Sequence, residues 1–288
     1  MTRLGVFLLW LLHSLPLPLL AGIGNALGWL LYLFAAERRK VASINLRLCF
    51  PDMSEAERQR LVRRNFCAFA RSLLERSILW WSPRERIEGL IRVEGREHLD
   101  GALDQPVILL APHFVALDVA GSWLTMNYNI TSIYSRQKNP VFHKLLLRGR
   151  SRFGEQRLYE RQQGLRPVLK AMRDLAPFYY LPDQDQAAKD SVFVPFFGIP
   201  AATLSTVSRL AASTGARVVP CISRLLPGGK GYEVRFYPAW DGYPTEDVVA
   251  DTRRVNEFIE QRVMEMPEQY FWLHKRFKTR PDDEKGFY

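Results

Sequence analysis

Cysteine is scarce. The 288-residue chain holds three, Cys49, Cys67 and Cys221, at no CxxC spacing, which argues against a disulfide framework and fits a reducing compartment. The five histidines, His13, His98, His113, His143 and His274, are scattered. With no HExxH and no Cys/His cluster, no sequence-local zinc site is expected. There is no internal repeat, no low-complexity tract and no Ser/Gly linker, so one globular domain plus an N-terminal segment is the economical account. Formal charge is also missing, His13 apart, from the whole of residues 4–36.

That uncharged run is the first positive signal. About 20 apolar residues suffice for a helix to cross the hydrocarbon of a bilayer. The run is longer, but Pro16 and Pro18 interrupt it, and proline removes a backbone donor and kinks or ends a helix. Two geometries stay open: one kinked spanning helix, or two shorter helices dipping into one leaflet. A cleaved signal peptide is disfavoured, since no A-x-A-like site follows and the positive n-region is thin. Residues 1–40 are therefore read as a membrane anchor and 41–288 as the domain it carries. The "ERRK" cluster at 37–40 places that domain on the cytoplasmic side by the positive-inside tendency. The net charge of +10 then fits a surface facing an anionic leaflet. Nucleic-acid binding would also explain the charge, but the uncharged run counts against it.

The rest has the makings of a sizeable core, with 47 % hydrophobic and 24 % charged residues. Residues 54–80 read as a helix capped by Ser54, with Leu61, Phe66, Phe69, Leu73, Leu74 and Ile78 at helical spacing. Beyond it, strand-like runs near 91–93, 107–110, 130–134, 178–181, 192–196, 218–223 and 232–237 alternate with helix-like runs near 115–125, 141–151, 165–173, 206–213 and 247–264. Alternation of this kind predicts an α/β sandwich with a mostly parallel central sheet. The "PGGKG" turn at 227–231 predicts an antiparallel far edge.

Sites in open α/β sheets lie at the carboxyl ends of the strands. The run "VILLAPHFVALD" puts His113 at such an exit, with Asp118 five residues on. On one regular helix the two would point about 140° apart. They can meet only if His113 is in the loop and Asp118 in the first turns of the helix that follows. In that arrangement the carboxylate fixes the tautomer of His113 and leaves the other ring nitrogen to take a proton. Tyr134 and Arg136, in "SIYSRQKN", end another strand on the same edge and are candidate substrate contacts.

Three more stretches sharpen this: "YLPDQD" at 180–185, "SVFVPFFGIPAATLSTVSRLA" at 191–211 and "EQYFWLHKRFKTRP" at 268–281. Together with "PHFVALD" and "INLRLCFPD" at 44–52, they make nearly the whole chain resemble the late, or secondary, lipid A acyltransferases of the lauroyl/myristoyl type. The resemblance implies a glycerolipid-acyltransferase-like α/β fold in the bacterial inner membrane. It implies acyl transfer from acyl carrier protein to the hydroxyl of a 3-hydroxyacyl chain on a phosphorylated lipid A precursor, with no metal or redox cofactor. The family's active pair maps onto His113 and Asp118, although the family often has Asn before the histidine and Glu as the acid, where this chain has Pro112 and Asp118. Two further positions carry over: Arg150, for an oxyanion or phosphate, and Asp183, bracing Arg150 or its loop. Asp185 is a weaker supporting position of the same kind. A lysophospholipid or glycolipid acceptor on the same fold, and an inactive membrane scaffold, are the alternatives.

Overall fold

The computed structural model describes residues 3–186, 191–281 and 284–288. The N-terminal run breaks at its first proline: α1 (Arg3–Leu12) ends before Pro16 and α2 (Leu17–Phe34) begins after it. Among the described residues only α2 is long and apolar enough to cross a membrane, with a mean hydropathy of 1.6 over 18 residues. It is not a free rod. After α3 (Ala36–Cys49), the 27-residue helix α4 (Glu55–Trp81) runs back against it. A Cβ on Gly24 would lie 2.7 Å from the Arg71 Cα, and one on Gly28 2.4 Å from the Cys67 Cα. Any side chain at either position would push the two backbones apart, so this approach requires glycine. The opposite face of α2 leaves Leu19, Ile23, Trp29, Leu30 and Leu33 exposed, beside Phe7, Leu8 and Leu11 of α1. Helix α4 starts on a capping box in which the Ser54 hydroxyl accepts from the Glu57 amide, as the sequence predicted.

From there helices and strands alternate. They are α5 (Arg84–Glu88), β1 (Ile91–Glu94), α6 (Arg96–Asp100), β2 (Val107–Leu110), α7 (Leu117–Asn127), β3 (Thr131–Tyr134), α8 (Pro140–Arg150) and β4 (Arg157–Glu160). They continue with α9 (Arg166–Arg173), β5 (Phe178–Tyr180), β6 (Ser191–Phe196), β7 (Ile199–Leu204), α10 (Thr206–Thr214), β8 (Arg217–Leu225), β9 (Tyr232–Phe236) and α11 (Val248–Glu265). Seven strands form one sheet in the order β1-β9-β8-β2-β5-β3-β4. Every neighbouring pair is parallel except β8–β9, the hairpin that "PGGKG" announced. The expected mostly parallel α/β sheet is therefore present.

Two details differ from the sequence expectation. Strand β9 is not the edge, because β1 adds outside it, parallel to it. The stretch 191–211, read as strand, turn and helix, contains a second strand before the helix: β6 and β7 pair as a separate antiparallel hairpin. Strand β2 shows why its sequence is an unbroken apolar run. Ile108 and Leu110 pack into one core layer with Phe178 and Val218, while Val107 and Leu109 pack into the other with Tyr179 and Val219. A strand covered on both faces has no polar side to alternate with.

Candidate active site

Strands β2, β3 and β5 run in the same direction, so their carboxyl ends share one edge. Strand β2 exits through Ala111 and Pro112 to His113. Strand β5 exits to Asp183. The register pairs Leu110 with Tyr180, so the two residues lie equal steps beyond paired positions. The outcome is direct contact: His113 Nδ1 lies 2.7 Å from Asp183 Oδ1. The His113 backbone N–H adds a second hold, donating to Asp183 Oδ2 at 3.0 Å. The Phe271 amide donates to the His113 carbonyl at 3.0 Å, and the two rings stack at 6.4 Å. The remaining ring nitrogen, Nε2, has no hydrogen-bond partner among the described residues.

This corrects the pairing read from the sequence. Asp118 does lie in the first turn of α7, but its carboxylate is engaged elsewhere. Oδ2 accepts from Arg76 Nε at 2.6 Å; Oδ1 accepts from Arg150 Nε at 3.1 Å and from Arg150 Nη2 at 2.8 Å. The reason is positional. Arg76 on α4 and Arg150 at the end of α8 both reach the start of α7, and a carboxylate between two guanidinium groups has no oxygen left to prefer a ring nitrogen. Asp183, expected to brace Arg150, holds His113 instead. Burial alone would raise Asp118, yet Arg76 and Arg150 outweigh it and hold its carboxyl well below the usual range. Asp183 is likewise buried and still held below its ordinary value, by His113 and then by the Tyr270 hydroxyl.

His113, Asp118 and Arg150 all line one cleft of about 350 Å³. Its walls include Phe69, Trp80, Tyr134, Tyr180 and Phe271, with Arg76 and Arg161 among the polar lining. Tyr134 thus reaches the cleft, its ring 5.8 Å from that of His143. Arg136 is exposed and is not among the lining residues. Asp185 faces away: it accepts from the Thr279 amide at 2.6 Å and hydroxyl at 2.9 Å, tying the C-terminal segment down. Cys221 is buried within β8, where burial pushes its thiol far up, and it does not line the cleft.

Sequence reasoning missed Arg76. The signal was there: Phe69, Ser72, Arg76 and Trp80 recur at helical spacing, and all four line the cleft. A single cation on an otherwise uncharged stripe marked the site-facing side of α4.

Behind His113 lies His274, whose Nε2 accepts from the Asp185 amide at 3.1 Å. Burial first, and the neighbouring His113 second, push its pKa down to about 4. Unfolded, the ring protonates near 6.5, so the unfolded chain binds more protons between these values, and stability falls as pH drops from about 6.5 toward 4. Urea melts at pH 7 and 4.5 are expected to differ by about 2–3 kcal/mol more in the wild type than in His274→Gln, which keeps an acceptor but does not titrate. Equal pH dependence in the two proteins would contradict this.

The family model and the curated relatives agree on one family. The model for the bacterial lipid A biosynthesis acyltransferases matches residues 1–279. The lipid A biosynthesis lauroyltransferase of Escherichia coli K12 is 35 % identical over 285 residues, covering 98 % of this chain and 92 % of that protein. The palmitoleoyltransferase of the same organism is 31 % identical over 291 residues, covering 100 % and 94 %. Among solved structures, a 1-acyl-sn-glycerophosphate acyltransferase from Thermotoga maritima aligns with a TM-score of 0.39 at 17 % identity, over 85 % of this chain and 97 % of that one. By the family match and by identities above 30 % over nearly its whole length, this chain belongs to the bacterial lipid A biosynthesis acyltransferases.

Proposed function

We propose that this acyltransferase moves a fatty acyl chain from acyl carrier protein to the hydroxyl of a 3-hydroxyacyl chain on a phosphorylated lipid A precursor, with His113 as general base. The observation that carries the reading is the His113–Asp183 contact at 2.7 Å beside a cleft walled by aromatic residues. With Nδ1–H donated to Asp183, Nε2 is the basic nitrogen. It takes the proton from the acceptor hydroxyl as that oxygen attacks the thioester carbonyl carbon. The tetrahedral oxyanion collapses, the carbon–sulfur bond breaks, and the leaving thiolate takes the proton back from the imidazolium. Asp183 steadies that imidazolium throughout. No covalent enzyme intermediate is needed, since the attacking group is the acceptor's own.

The exposed apolar faces of α1 and α2, followed by Arg38, Arg39 and Lys40, support attachment to the inner membrane with the cleft on the cytoplasmic side. Mass spectrometry of lipid A from cells with and without the gene tests the reading, together with assays of the purified protein on acyl carrier protein donors. The expected result is a lipid A species lighter by one acyl group when the gene is absent, and donor-dependent acylation of the lipid A precursor in vitro. Transfer to a lysophospholipid alone would overturn the choice of acceptor.

A further inference from the structure

We propose that Arg76 and Arg150, clamped on the two oxygens of Asp118, form an anion cradle that recognises a phosphate group of a substrate, and that Asp118 is its positioning residue. The proposal rests on the acyl-transfer reading above and adds to it a binding site with its own ligand chemistry.

The two arginines reach the site from different elements, α4 and α8, and meet on one carboxylate. Arg76 spends only Nε–H on Asp118; Arg150 spends Nε–H and one N–H of Nη2. The other guanidinium N–H groups of both residues have no partner among the described residues. Both side chains line the cleft and keep some exposure, 17 % for Arg76 and 29 % for Arg150, whereas that of Asp118 is 8 % exposed. The carboxylate is thus largely buried, while both guanidinium groups line the cleft and keep unspent donors. Holding each guanidinium by a charged bond fixes two flexible side chains before any ligand arrives, and planar forks of this kind suit phosphate oxygens.

Charge counting selects the ligand. The cleft lining contains three arginines, Arg76, Arg150 and Arg161, and one carboxylate, Asp118. Arg161 is exposed and has no ion-pair partner among the described residues. The excess of two positive charges matches a phosphate monoester, which carries about −1.5 to −2 at neutral pH. A single carboxylate or a transient oxyanion would leave one charge over. Both oxygens of Asp118 are engaged by arginine, and His113 Nδ1 is already taken by Asp183. The acid five residues after the histidine therefore organises arginines here, and the histidine draws its orienter from another strand.

The test uses the purified full-length enzyme with acceptors that carry or lack the phosphate. Arg76→Gln is expected to raise KM for the phosphorylated acceptor about tenfold more than KM for the acceptor without phosphate, with the larger part of the loss in KM and not in kcat. Arg76→Lys should fall between the two. If KM rises instead for the acyl carrier protein donor, whose prosthetic arm offers only a singly charged phosphodiester, the monoester assignment is overturned. Asp118→Asn should raise the same KM, with the larger part of its loss in KM and not in kcat. Should a variant fold poorly, inorganic pyrophosphate serves as probe on the wild type. It should inhibit competitively against the substrate that owns the phosphate, and raise Tm whether or not the acceptor has been identified correctly. Unchanged KM values in Arg76→Gln, an equal kcat loss on both acceptors, an intact KM in Asp118→Asn, or no pyrophosphate effect on the wild type would each overturn the cradle. Absence of transfer to any lipid A precursor, with the pyrophosphate effect intact, would overturn the acceptor assignment alone.

Discussion

His113→Ala lowers acyl transfer about 10²–10⁴-fold, the range expected when a positioned general base is removed. The protein should remain folded. The imidazole is 20 % exposed, so its removal opens a small space at the cleft wall and no sealed cavity. Asp183 keeps the His113 backbone N–H, a bond the substitution does not touch, and the Tyr270 hydroxyl. The loss should therefore appear in kcat, with the thermal melt of the purified protein little changed. Activity within tenfold of wild type, in protein shown to be folded, would remove His113 from the chemistry.

Asp183→Asn combines the second large effect on rate with one on stability. Asparagine is isosteric, but one of its two terminal atoms becomes a donor, and it cannot offset the imidazolium. Without the carboxylate, the tautomer that leaves Nε2 basic is no longer enforced. We expect kcat to fall about 10²-fold or more, because the charged ring that forms during transfer has lost its counter-ion. Stability should fall by about 2–3 kcal/mol, as charge-assisted bonds to the His113 backbone and ring and to Tyr270 weaken. The sign of the pH linkage follows from the lowered folded pKa of Asp183. Its contribution is present above the ordinary carboxylate value and is lost as pH falls through the folded one. Pairing this variant with Asp118→Asn separates the two acids. The first should lower kcat and the second should raise KM.

Much of this site could be read from the chain alone, and what could not has a common cause. His113 was legible because a four-residue apolar run stops just short of it. The edge of the sheet follows from alternation, and Asp118 at the start of a helix from the residues around it. These are local facts. The partner of His113 is not local: Asp183 is 70 positions away and arrives through the β2–β5 register, which no periodicity within either segment reveals. Proximity in sequence favoured Asp118, whereas proximity in space belongs to the neighbouring strand. Strand β4 was missed for a related reason. "RLYE" is half-buried throughout and sits at the edge of the sheet, so it lacks the apolar run that marks an interior strand. Arg76 is a third case, since a basic residue on a helix already rich in arginine looks solvated until the opposite wall of the cleft is known.

The seating of α2 on α4 has a consequence for reach. With no side chain between the two backbones at Gly24 and Gly28, the apolar helix seats directly on the one that bears Arg76. Were the proposed membrane attachment made through the outer face of α2, the height of the cleft above the lipid would be set by the packing of these two helices. Substrates would be sorted by how far their reactive hydroxyl stands from the water boundary, before any headgroup is inspected.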